Sequence, residues 1–314
     1  MDINMNKLFM SLWAVSALLT ISVTYACENY PVKEVSPGIY YHQGVHEEPS
    51  EKNSGAIANV GFIIGEKCVA VIDSGGSYLE GTHLRQAIKS KTDLPICYVI
   101  NTHVHPDHIF GNAAFKEDKA TFIGHEKLPA AIAAREGYFA KTFKETLGKA
   151  YAGTEFISPT LRASIETPLT IDLGNRKLIL TAYSTSHTDH DLTVFDSNTK
   201  TLWTGDLLFM GRIPVMDGSI NGWIKTMKQM QSMELSFLIP GHGEASSDQW
   251  QQGLKKQLDY FSLLRDEIRL IIEDLGTIDQ ASKEVGILEQ NSWELFEHYH
   301  RRNVTASFVE LEWE

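Results

Sequence analysis

Cysteine is scarce in this chain, with three in 314 residues, and neither Cys68 nor Cys97 stands where a metal ligand would. A thiolate-bound metal is therefore not indicated. Cations are in the minority too: 28 Lys and Arg face 40 Asp and Glu, for a net charge of −12. Binding a phosphate backbone takes clustered Lys and Arg, so nucleic acid is not an expected partner. There is no internal repeat and no low-complexity tract. The apolar run Leu8 to Val23, broken only by Ser and Thr, falls short of the roughly 20 residues that a comfortable membrane span takes. With Lys7 before it and Thr24-Tyr25-Ala26 after it, it has the pattern of a secretory signal peptide, residues 1–26, cut after Ala26. The mature protein is then expected to be secreted, with no stable membrane span. Cys27 leaves a lipid anchor open, although Thr24 stands where a lipobox normally carries Leu.

What the chain does have is histidine, placed unevenly. Residues 103–108 read His-Val-His-Pro-Asp-His, which puts three imidazoles and a carboxylate on one short turn. Imidazole and carboxylate suit Zn²⁺, and alternate positions of an extended segment can present His103 and His105 to one ion while Asp107 and His108 face another. A chance occurrence of this run is expected on the order of once in a thousand sequences of such composition, so a mere histidine-rich loop explains it poorly. The run follows Cys97-Tyr98-Val99-Ile100, a short strand pattern, and open α/β sheets place their chemistry at the carboxyl ends of strands. Further candidate ligands end later strand-like runs: His187 after Lys177 to Ala182, Asp206 after Thr201-Leu202-Trp203, and His242 after Phe237-Leu238-Ile239.

With Asp73 in Val71-Ile72-Asp73-Ser74-Gly75, the His103–His108 run, His187, Asp206 and His242, the chain resembles the metallo-β-lactamase-fold hydrolase superfamily, over roughly residues 35 to 250. The resemblance implies two Zn²⁺ per chain, the first on His103, His105 and His187 and the second on Asp107, His108 and His242. Asp206 bridges both, opposite a water or hydroxide that serves as nucleophile, which makes Asp107 and Asp206 the catalytic carboxylates. Asp73 is either a carboxylate that supports the His-rich loop or one that only caps its turn. His190 and Arg212 are possible substrate contacts; a core-satisfied imidazole and an Arg212–Asp217 scaffold pair are the plainer alternatives. The fold implied is α/β, an αββα four-layer sandwich with two mixed sheets inside.

The remaining patterns are local. Strands are expected over Ser36–Val45 and Ala56–Ile64, and helices over Tyr78–Lys89, His125–Ala134, Ser246–Leu275 and Trp293–Tyr299. This divides the mature chain into a catalytic domain, residues 27–250, and a C-terminal helical extension, 251–314. In the segment 136–165, Tyr138, Phe139, Phe143 and Tyr151 either wall a pocket above the metals or face the core of a helical hairpin. Export would let Cys68 and Cys97, which begin strands expected to be parallel neighbours, form a disulfide; two buried thiols are the alternative. The stretch Gly205 to Ser219 and the tail Arg302-Asn303-Val304 look like the periplasmic quinoprotein relay-system zinc metallohydrolases. That likeness implies a periplasmic location and a quinoprotein dehydrogenase system as partner. The expected function is hydrolysis of a small acyl substrate, a thioester, ester or lactone. The alternatives are a β-lactamase, against which the Asp206 bridge speaks because it looks like the glyoxalase II and lactonase branches, and a non-catalytic metal-binding accessory.

Overall fold

The computed structural model describes residues 30–314; the expected signal segment and Cys27 lie outside the described residues. Seven strands pair in chain order to make the first sheet: β1 (Lys33–Ser36), β2 (Ile39–His42), β3 (Val60–Ile64), β4 (Val69–Ile72), β5 (Ile96–Ile100), β6 (Thr121–His125) and β7 (Leu161–Ala163). The first four are antiparallel and the last four parallel. The second sheet holds β8 (Leu169–Asp172), β9 (Lys177–Ala182), β10 (Leu192–Asp196), β11 (Thr201–Trp203) and β12 (Phe237–Ile239), antiparallel up to β11 with β12 parallel to it.

Alternation along the strands explains the layers. In β4, Ala70 and Ile72 point between the sheets, where they meet Leu180, Val194 and Trp203 of the second sheet. Val69 and Val71 point outward and pack under Leu84 and Ile88 of α1 (Tyr78–Lys91). The outer face of the second sheet is covered by α4 (Ile220–Gln231), α5 (Trp250–Glu273) and α7 (Phe296–Leu311), whose Trp223, Phe261 and Phe308 share one core with Leu202 and Leu238. Strands with an apolar residue on both faces need cover on both sides, and the result is the expected αββα sandwich. The short α2 (Pro106–Ile109), α3 (Leu128–Leu147) and α6 (Ile278–Glu284) complete the helices.

Three local expectations change. The run Ser36–Val45 is not one strand: Pro37-Gly38, with Gly38 at φ +71°, turns the chain back to pair β1 with β2. The expected helix His125–Ala134 begins later, because His125 closes β6, and runs much further, to Leu147 before Gly148. The residues Arg301–Val304 are no tail; they lie inside α7. Cys68 immediately precedes β4 and Cys97 lies in its parallel neighbour β5, yet both are free thiols. Burial, followed by its contact with Cys97, pushes the Cys68 thiol up to about 12. Among the described residues no helix is long and apolar enough to cross a membrane.

Candidate metal centre

Strand ends at one edge of the sandwich deliver every candidate ligand. Asp73 follows β4, the His103–His108 run follows β5, Asp206 follows β11 and His242 follows β12, while His187 comes from the loop between β9 and β10. The donor atoms form two groups, His103, His105, His187 and Asp206 in one and Asp107, His108 and His242 in the other, each within 4.8 Å. In the first, Nε2 of His103 and Nε2 of His187 each lie 3.0 Å from Nδ1 of His105. In the second, Asp107 Oδ2 stands 3.7 Å from His108 Nε2 and 3.4 Å from His242 Nε2. Asp206 faces both. Its Oδ2 is 3.6 and 3.5 Å from His103 and His187, and its Oδ1 is 3.1 and 3.3 Å from His108 and His242.

The outward nitrogen of each ring is anchored. His187 Nδ1 donates to the Val215 carbonyl at 2.8 Å and His242 Nδ1 to that of Ile57 at 2.7 Å. His108 Nδ1 donates to Asp73 Oδ2 at 2.8 Å, and His105 Nε2 to Asp217 Oδ2 at 3.1 Å. His103 Nδ1 lies 3.0 Å from the Thr102 hydroxyl, which itself donates to Asp73. Carbonyl and carboxylate oxygens only accept, so the protons sit on these outward nitrogens and the inward ones present lone pairs. Lone pairs crowded at 3.0 Å with no proton between them repel unless a cation lies among them. Nε2 of His108 and Oδ1 of Asp206 are buried with no hydrogen-bond partner, and a donor set of imidazoles and carboxylates is what Zn²⁺ takes. The two groups are therefore of the kind that could hold metal.

Electrostatics agree. Burial holds His103 well below its ordinary pKa and His187 down at about 3, so both are neutral donors near pH 7. Burial opposes a charge on His108 as well, but Asp206, Asp73 and Asp107 surround it and raise its pKa well above the usual imidazole range. Burial would likewise raise Asp206, yet His242, His108 and His103 hold its carboxyl well below the usual carboxylate range.

Of the two readings open for Asp73, the structure shows support of the loop: its carboxylate accepts from Thr102 N–H, Thr102 O–H and His108 Nδ1–H, each at 2.8 Å. It does so from φ +53°, a costly conformation for a residue with a side chain. Gly241 is needed for a different reason, since a Cβ there would stand 2.0 Å from Asp206 Oδ1. Asn59 brackets His242 by donating to the Pro240 and Gly243 carbonyls at 2.9 and 2.7 Å.

A cavity of about 550 Å³ opens over both groups and reaches His105, Asp107, Asp206 and His242. Tyr138, Phe139 and Phe143 wall it; Tyr151 does not, and packs instead on Phe110 with ring centroids 5.8 Å apart. Both readings of those aromatics hold in part, because Phe139 and Phe143 also touch Phe110. His190 does not line the cavity; it is buried with Nδ1 2.7 Å from Asp189. Arg212 does line it, but the expected pair with Asp217 is absent, for Asp217 is taken by His105, Arg135 and Arg302. Sequence reasoning assigned Asp217 a role only as a mate for Arg212 and none to Arg135 or Tyr299, and the partners these residues actually have lie too far along the chain for any spacing rule to join them.

A double His/Asp cluster at the edge of two stacked sheets defines a metal-binding protein of the αββα class. Residues 54–242 match the metallo-beta-lactamase superfamily, and the chain belongs to it. A metallo-beta-lactamase type 2 from Bacillus sp. (strain 170) is 23% identical over 242 residues, 73% of this chain and 86% of that protein. The structure of a metallo-beta-lactamase from Pontibacter korlensis aligns with a TM-score of 0.59 at 17% identity, over 74% of this chain and 98% of its own. That of an inverting sec-alkylsulfatase from Pseudomonas sp. aligns with a TM-score of 0.68 at 18% identity, over 90% of this chain and 50% of that one. Superfamily relatives of this kind are hydrolases, and the paired clusters are a possible metal site of the same type.

Proposed function

We propose that the chain is a dinuclear zinc hydrolase of small acyl substrates, thioesters, esters or lactones. The observation that carries this reading is Asp206, one carboxylate with an oxygen turned to each donor group. Two zinc ions held there would activate a water near neutral pH and polarise a carbonyl. Asp107 and Asp206 are the carboxylates that belong to the clusters and also face the cavity, so we assign them catalytic as well as ligand roles. The anchored outward nitrogens keep the rings from turning as substrate arrives, and the wall of Tyr138, Phe139 and Phe143 keeps water from the scissile bond. Export to the periplasm and service to a quinoprotein dehydrogenase system belong to the same proposal; the Gly205–Ser219 stretch and the Leu8–Val23 run support them.

The test combines metal analysis of the purified protein with a panel of thioesters, lactones, esters, sulfate esters and β-lactams. Wild type should carry two zinc ions and turn over an acyl compound. Asp206→Ala should drop metal content from about two ions toward one, with a large fall in kcat and a smaller change in KM. Strong β-lactam turnover would instead make the protein a β-lactamase. Exchangeable metal with no turnover of any compound would make it a metal-binding accessory.

A further inference from the structure

Arg212 is a full positive charge taken out of water, with 2% of its surface exposed. None of the ion pairs among the described residues includes it, and its Nε finds no acceptor. Its Nη1 lies 3.2 Å from His242 Nδ1. That nitrogen already gives its proton to the Ile57 carbonyl, so donor meets donor and the contact satisfies nothing. Rings alone steady the guanidinium: its Cζ is 5.8 Å from the Phe209 centroid and 5.4 Å from that of Tyr299. Cation–π contacts offset part of the desolvation of a buried cation but leave its donors unmet.

The other charges at the cavity are spoken for. Arg135 from α3 and Arg302 from α7 contact Asp217 at 3.3 and 3.1 Å. Glu48 accepts from the Tyr299 hydroxyl. Arg212 is thus the cation of the pocket with no acidic partner among the described residues; it touches His242 and lines the same cavity as Asp206. Tyr299, which stacks on it, comes from α7 and lies outside the residues 54–242 that match the superfamily.

Resting on the reading of the cavity as a substrate pocket, we propose that Arg212 is the seat of an anionic group on the substrate. The substrate is then an anionic acyl compound. A planar guanidinium matches the two oxygens of a carboxylate or of a sulfonate-like group. With that anion on Arg212, the hydrolysable carbonyl lies over Asp206 and an apolar body rests against Tyr138, Phe139 and Phe143.

The experiment is calorimetric titration of zinc-loaded protein with phenylacetate, its neutral isostere phenylacetamide, and benzylsulfonate. Phenylacetate should bind wild type at least about tenfold more tightly than the amide, the usual return of a charged hydrogen bond. Arg212→Gln should bring phenylacetate down to the level of the amide, and Arg212→Lys should keep part of the preference, as charge without the fork. Tighter, Arg212-dependent binding of benzylsulfonate would support the site and identify the anion as tetrahedral. Arg212→Met should melt no lower than wild type, because the anion needs the charge and the fold does not. Equal phenylacetate affinity in wild type and Arg212→Gln would overturn the proposal, since the carboxylate would then be held by metal alone. A lower melting temperature in Arg212→Met with anion affinity unchanged would overturn it as well. Arg212-dependent binding without turnover of any acyl compound would instead sink the hydrolase reading and leave the anion site standing.

Discussion

Asp217 gathers three segments onto one metal-facing ring. Its Oδ2 takes the His105 Nε2 proton and the Arg135 guanidinium, and its Oδ1 takes Arg302. Burial works against its charge, but His105, followed by His187 and Arg302, holds the carboxyl below the usual range. Asp217→Asn keeps the size and loses the pull on the His105 proton. Zinc affinity should fall about 10- to 100-fold, read by competition with a chromogenic chelator, and Arg302→Gln should cost less because it leaves the His105 contact intact. His190 makes a second prediction. Burial lowers its pKa to about 4, below the ordinary imidazole value of roughly 6.5. The folded state therefore binds fewer protons than the unfolded state between those values, and stability is lost as pH falls through that window. In metal-free protein, denaturant melts of His190→Gln should show a shallower loss, by up to about 1.4 kcal/mol per pH unit; an unchanged slope would mean that His190 does not titrate there. The seven ligand candidates were legible because each ends a strand or crowds the six-residue run. The partners of Asp217 were not: the sequence suggests Arg212 as its mate, whereas those it has stand 82 to 112 positions away.

The last long helix, α7, braces the metal centre from outside. Asn303 is fully buried; its Oδ1 accepts from Met216 N–H at 2.9 Å, and its Nδ2 donates to the Pro214 carbonyl at 2.7 Å and the Tyr260 hydroxyl at 3.1 Å. Between those two backbone groups lies Val215, whose carbonyl holds His187. Asn303→Ala leaves a buried N–H and a buried carbonyl unpaired, which should cost about 2–4 kcal/mol in urea melts. It should also weaken the first metal group more than the second, as cobalt substitution followed by absorption titration would show. The amphipathic patterns of α1 and α5 were readable, because apolar residues recur at helical steps against a sheet. The reach of α3 was not: the expected helix stops at Ala134, ahead of Gly137, and the packing of Phe139 and Phe143 on Phe110 explains why α3 continues to Leu147. The hairpin of β1 and β2 was hidden in one alternating run, where the Pro37-Gly38 turn carries more weight than the alternation around it.

At the scale of the whole molecule, the two sheets meet at the metal groups. His103, His105, Asp107 and His108 come from the first sheet, and His187, Asp206 and His242 from the second, so a bound ion ties the halves together. A ligand that binds only the folded chain adds about 2.7 kcal/mol at a hundredfold excess over its Kd. Chelation should accordingly lower the melting temperature, and zinc, added back, should restore it in proportion to the logarithm of its concentration. A melting temperature indifferent to chelator would argue that the clusters hold no metal. The same division sets an order on manufacture. A ribosome delivers His103 to His108 more than a hundred residues before His242 and some two hundred before Asn303, so the growing chain displays a half-built set of ligands while its other half is still being made. A metal captured in that interval would meet His103 and His108, whose outward nitrogens already have Thr102 and Asp73, but a His105 whose partner Asp217 is still to be made, and the set is complete only when the final helix braces the loop that holds His187.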